Sequence, residues 1–189
     1  MDALTDGIFA FAMTLLVLEI RLPAGLPIRD AGDLLAHVQT LWPEYLAYVI
    51  SFVVLATQWR ANIELRHAGE HLSLTVVRLW LVYLFFITGV PFSCSIVGHY
   101  GYLAPAVWLY AANIIVVAAI SLPLRSLEVA PEHNRRARVS RTVTLIFIAS
   151  ALASVAISLV EPSGAMFAYL LNGFARPLAN WRHGLEGAA

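Results

Sequence analysis

The sequence predicts an all-α integral membrane protein, a bundle of six spans, on three observations. Hydrophobic residues make up 60% of the 189 and charged ones 13%, with a mean hydropathy of +0.75, well outside the norms of soluble domains. Six largely uncharged runs follow one another, each near the roughly 20 residues that cross a bilayer core. Arginines gather in alternate connections, ten on one side against two on the other.

The first span is expected over residues 4–21, within the stretch TDGIFAFAMTLLVLEIR from Thr5 to Arg21. It has about the length of a secretory signal. Its acids and the lack of an Ala-x-Ala-type site after it lead us to expect a retained helix. The second span, 42–62, is built on the uncharged run Tyr45 to Trp59, and the third, 75–98, on Leu79 to Gly98. The fourth, 101–125, and the fifth, 141–161, follow from Tyr100 to Leu124 and Thr142 to Val160. The sixth, 165–181, opens at Met166 and runs past Arg176.

Loops fit between these runs. Pro23, Pro27 and residues 28–36 form the one sizeable outer loop, with a short surface helix over Asp30 to Leu35. His99 to Tyr102 makes a tight aromatic turn, and Pro162, Ser163 and Gly164 make another. There is no sign of a second domain, so residues 1–189 read as one. Arg60, Arg66 and Arg78, then Arg125, Arg135, Arg136, Arg138 and Arg141, then Arg176 and Arg182 share one side, against Arg21 and Arg29 on the other. Positive charge is retained inside, so both termini are expected to be cytoplasmic.

Composition also excludes. The 12 basic residues balance 12 acids, and no basic surface with interleaved aromatics points to nucleic acid. Cys94 is the single cysteine, which rules out an internal disulfide or a multi-cysteine metal centre. His67-Ala-Gly-Glu70-His71 spells H-x-x-E-H, with Glu64 a turn earlier. Gly69 interrupts it within a connection between spans, so solvated turn residues are expected rather than a metal site. The arginine-rich loop from His133 to Arg141 is read as meeting anionic lipid head groups. Gly98 to Tyr102 holds a Gly-Tyr pair but no Thr-Val-Gly-Tyr-Gly filter. No catalytic triad or phosphate loop is spelled, so an enzyme is not expected. Asp6 and Glu19 lie at opposite ends of one helix, without the inverted repeats of transporters.

The opening helix holds the residues that call for a reason, because Asp6, Thr14 and Glu19 are costly in lipid. At about 100° per residue, Gly7, Phe11, Leu15 and Leu18 share a stripe, with Thr14 about 60° to one side and Glu19 about 80° to the other. Copies of this helix around an axis would stack rings of Phe11, Thr14 or Leu15, and Leu18, with Glu19 near the far mouth. The same stripe also suits packing against a neighbour. Thr14 suits a bond to the carbonyl one turn back, Asp6 a first-turn carboxylate favoured by the helix dipole, and Glu19 a local pair with Arg21.

Thr5-Asp6-Gly7-Ile8-Phe9-Ala10, running through Thr14 to Glu19 and Ile20, resembles the signature helix of bacterial relatives of the endolysosomal potassium channel, the transmembrane protein 175 family. Tyr48-Val-Ile-Ser51-Phe52, Trp59, Leu79-Trp80-Leu81 and Pro91-Phe92-Ser93 extend the likeness over Thr5 to Tyr102. The resemblance implies a homotetramer in the plasma membrane whose first helices line a K+ pore without a carbonyl filter or cofactor. It implies apolar constrictions at Phe11, Leu15 and Leu18 and a selectivity layer at Thr14, while Glu19, placed by helical periodicity, would lie at the outer mouth. Thr5, Asp6 and Trp59 would anchor the base of that helix.

Departures from the family pattern fall at that base. The signature Arg would precede Met1, Leu4-Thr5 stands for Phe-Ser, Asn62 for a frequent His, and Val82 for a frequent Asn. A potassium-selective channel is the expectation. A proton-permeable or weakly selective cation pathway, and a non-conducting membrane scaffold, are its alternatives.

Overall fold

A computed structural model describes residues 2–23, 25, 28–65, 74–128 and 134–183, and every regular element among them is helical. In order these are α1 (Asp2–Leu18), α2 (Ala31–Thr40), α3 (Trp42–Leu65), α4 (Leu74–Thr88), α5 (Val90–Tyr100), α6 (Ala104–Glu128), α7 (Asn134–Ser158), a 3-10 helix (Pro162–Phe174) and α8 (Ala175–His183). Among the described residues, four helical stretches are long and apolar enough to cross a membrane: Trp42–Ile63, Leu74–Tyr100, Ala104–Leu124 and Arg138–Ser158.

Local sequence explains the boundaries. Asp30 caps α2 by accepting from the Asp33 amide at 2.8 Å, while Asp33 reaches back to the Arg29 amide at 3.1 Å. That reciprocal arrangement satisfies amides that the first turn of a helix leaves without partners. The charge-free third run is interrupted as an α-helix. It breaks at Gly89, where Pro91, in the first turn of α5, brings no amide hydrogen. α5 ends at Gly101, a position that only glycine fits, since a Cβ there would stand 2.5 Å from the Val97 carbonyl oxygen.

The sixth run also departs from a single α-helix. It opens with Pro162 as a 13-residue 3-10 helix and becomes α-helical only at Ala175. At about 2.0 Å per residue the 3-10 part rises about 26 Å, farther than the same residues would reach as α-helix. With three residues per turn, Met166, Tyr169 and Asn172 stack on one buried side.

Helices in lipid hold together by close packing and internal hydrogen bonds rather than by expelling water. Accordingly Ser150, Ser154 and Ser158, one turn apart on α7, are all buried. Ser150 Oγ meets Asn172 Oδ1 of the 3-10 helix at 2.9 Å, and Tyr110 of α6 stands edge-on to Tyr169 at 5.2 Å. α1 packs against α3, α4 and α5. Its buried side is Thr5, Phe9, Ala12 and Leu16, so one face of the first helix belongs to the core.

Candidate functional site

The other face of α1 is bare in the protomer. Phe11 is 61% exposed and Leu18 53%, with Leu4 and Val17 similarly open. Gly7 and Thr14 are exposed too, Leu15 is half-buried, and a Cβ built on Gly7 would touch nothing within 4 Å. The stripe expected from helical periodicity is therefore the side that α1 turns away from its own bundle.

Polar groups frame this stripe. Thr14 donates its hydroxyl to the Phe11 carbonyl at 2.8 Å, which occupies its proton and leaves the oxygen on the bare face as an acceptor. Glu19 is half-buried just past the helix end. Arg21, rather than simply pairing with Glu19, donates from Nε to the Leu18 carbonyl and so caps a terminal orphan acceptor. Backbone bonds from Glu19 to Leu16 and from Ile20 to Val17 carry the helix one tighter turn further.

The base of α1 is tied to its neighbours. Trp59 Nε1 of α3 donates to Asp6 Oδ1 at 2.8 Å, and Thr5 is buried beside it in sequence. Asn62, one turn on from Trp59, is buried and donates to the Tyr83 hydroxyl at 3.4 Å. Tyr83 in turn meets Phe9 of α1 at 6.3 Å and Trp80 edge-on at 5.4 Å. Val82, where a polar residue was looked for, faces outward. The adjacent Tyr83 supplies the polar partner from α4.

Tyr83 and the fully buried Gln58 are the residues that sequence reading missed. The available signal was spacing: Gln58 and Asn62 lie one turn apart, on the side of α3 that also buries Ser51 and Leu55. At the opposite end of α3, Glu44 packs its Cα toward Gly98, where a Cβ would come within 3.3 Å.

No group of three metal-ligating side chains occurs among the described residues. His67, Glu70, His71 and the side chain of Glu64 lie outside those residues, as do His133 and the side chains of Arg135 and Arg136. Arg138 and Arg141 are exposed at the start of α7.

The chain is similar to known proteins in sequence and in fold. Residues 1–91 match the sequence model of the family described as endosomal/lysosomal potassium channel TMEM175. A potassium channel of Streptomyces collinus is 30% identical over 99 residues, 52% of this chain. One from Chamaesiphon minutus is 43% identical over 58 residues, 31% of this chain, and one from a Chryseobacterium strain 25% identical over 118, 62% of this chain. The chain spans only part of these curated relatives, 47%, 28% and 58% of their lengths respectively. A solved lysosomal potassium-selective channel TMEM175 homolog from Chamaesiphon minutus shares the fold, with a TM-score of 0.80 at 23% identity over 95% of this chain and 96% of that one. The family resemblance read from the signature helix is thus borne out, and the chain is an integral membrane protein.

Proposed function

We propose that this chain is a bacterial member of the transmembrane protein 175 family and works as a potassium-selective channel, four copies meeting on the bare face of α1. In this reading residues 1–189 form one six-span domain of the plasma membrane with both termini cytoplasmic. α1 rises about 25 Å and, with its terminal turn through Ile20, crosses most of a core about 30 Å thick. The 3-10 helix and α8 together form the sixth span.

The observation that carries the reading is the two-sidedness of α1. Its buried side and its base are fixed to α3, α4 and α5, whereas Gly7, Phe11, Thr14 and Leu18 are exposed. A face holding a glycine and a hydroxyl is poorly matched to lipid and well matched to close approach of identical helices. Around a four-fold axis, Phe11, Leu15 and Leu18 become successive apolar rings that gate by wetting and drying. The Thr14 oxygens form an acceptor layer between the first ring and the rings beyond it, where a cation sheds part of its water. Glu19 raises cation concentration at the outer mouth, and Asp6 holds the helix base.

Flux of K+ into liposomes bearing the purified protein tests this. Leu15→Ala and Leu18→Ala are expected to raise flux on the order of tenfold, the factor that each 1.4 kcal/mol taken off a barrier supplies. Unchanged flux in both would remove the constriction assignment. Reversal potentials set by pH rather than K+ would favour the proton-permeable alternative, and no flux from any variant would leave a scaffold. Gly7→Cys in a Cys94→Ser background is expected to cross-link copies in native membranes, and its failure to do so would put α1 away from the axis.

A further inference from the structure

Partway along the apolar run Leu74–Tyr100 the helix breaks at Gly89, and α6 passes that break with Asn113 near the middle of its own run, Ala104–Leu124. Between them lies an open groove of about 350 Å³, within the range of volumes that hold small ligands. Phe85, Phe86 and Phe92 line it, together with the polar side chains of Thr88, Ser93 and Asn113, of which Thr88 donates its hydroxyl to the Phe85 carbonyl at 2.7 Å. Gly89 lies against this lining, since a Cβ built on it would come into van der Waals contact with the Phe86 carbonyl oxygen at 3.4 Å and Asn113 Nδ2 at 3.6 Å.

Hydrogen-bond accounting identifies what the groove is suited to hold. Asn113 Nδ2 donates to Ser93 Oγ at 3.1 Å, and Ser93 has committed its only proton to the Val90 carbonyl at 3.0 Å. Asn113 Oδ1 consequently accepts nothing among the described residues. An amide oxygen without a donor at this depth is costly, because hydrocarbon offers none.

We propose that the groove binds a membrane-dissolved amphiphile with one hydroxyl on an aliphatic or aromatic body. The hydroxyl donates to Asn113 Oδ1, and the body lies among the three phenylalanines. A plain acyl chain fills the walls but leaves the amide unmet, so the site discriminates by the donor. The proposal stands apart from ion conduction and from the number of copies.

A diazirine-bearing octanol photolabelled onto the protein in liposomes tests it, with the labelled peptides mapped by mass spectrometry. Labelling is expected to concentrate on residues 85–92 and 109–116, to be displaced by octanol, and to resist octane. Asn113→Leu is expected to weaken displacement by octanol about tenfold, one hydrogen bond's worth. Ala112→Trp, which fills the groove from its exposed edge without touching the Asn113 bond, is expected to abolish labelling there. Equal displacement by octane, or labelling spread evenly over all exposed apolar residues, would overturn the proposal. So would cross-linking of two copies through this groove with no octanol bound.

Discussion

α1 and α7 are each buried on one side and bare on the other, yet their bare sides differ in chemistry. α7 turns Ser150, Ser154 and Ser158 into the bundle and shows Leu145, Leu152 and Ala156 outward. α1 buries Thr5, Phe9, Ala12 and Leu16 and shows Gly7, Phe11 and Thr14. The face of α7 is a plain aliphatic surface that acyl chains can cover at no polar cost. That of α1 carries a hydroxyl oxygen and a gap beside a large ring, which lipid covers poorly and another helix covers well. The difference sets a scaffold helix apart from one that, in the function proposed above, is completed by copies of the chain.

The largest effects expected from breaking this contrast come from two phenylalanines. Phe147 of α7 is buried and Phe11 of α1 is exposed. Phe147→Ala is expected to cost about 3 kcal/mol or more of folding stability through the cavity it leaves, while Phe11→Ala costs at most about 0.5 kcal/mol. Thermal unfolding in detergent measures both. Potassium flux should reverse the order, with Phe11→Ala raising the leak and Phe147→Ala changing flux only in proportion to folded protein. Equal destabilisation by both would mean the α1 face is packed after all.

A second effect, of about 1.5–3 kcal/mol, is expected at the base of α1. The Trp59 indole donates to a carboxylate, and a hydrogen bond with a charged partner is worth roughly that much. Trp59→Phe removes the donor while keeping most of the ring. Faster amide exchange over Asp2–Leu18, with α7 unaffected, would show that this bond holds α1 specifically. Uniform loosening of both helices would assign it a general role in the fold.

What the sequence made legible follows from the kind of signal each feature leaves. Hydropathy located the apolar runs, Asp30 marked the start of α2, and helical periodicity separated the Phe11 side of α1 from its Phe9 side. Hydropathy could not report the break at Gly89, because a broken and a continuous helix bury the same apolar residues. The Gly89-Val90-Pro91 spelling was the only trace of it. Nor could it report the 3-10 conformation of Pro162–Phe174, since Met166, Tyr169 and Asn172 repeat at a spacing that an α-helix face also tolerates. The base of α1 was half legible. Asn62 and Val82 looked like losses because residues were compared position by position, whereas a hydroxyl one place along α4, on Tyr83, reaches Asn62 from the buried side.

That pairing is open to a double-mutant cycle of Asn62→Leu and Tyr83→Phe. A long hydrogen bond of 3.4 Å between neutral groups in a membrane interior is expected to couple them by about 0.6 kcal/mol, the average for such pairs. Coupling near zero would leave Tyr83 acting only through its ring contacts with Phe9 and Trp80.

Thr14→Val is the smallest expected change in stability and the sharpest test of the bare face. The isosteric swap keeps volume and branching, and the lost bond to the Phe11 carbonyl is local to an already intact helix, so unfolding should shift by no more than about 0.5 kcal/mol. The oxygen layer among the α1 helices would nevertheless vanish, and a cation between the Phe11 and Leu15 rings would find no ligand to replace its water. Preference for K+ over Na+ in reversal-potential measurements should therefore fall while the protein remains as stable as before. If selectivity survives with stability unchanged, the hydroxyl faces something other than the ion path, and the contrast between α1 and α7 must rest on Gly7 and Phe11 alone.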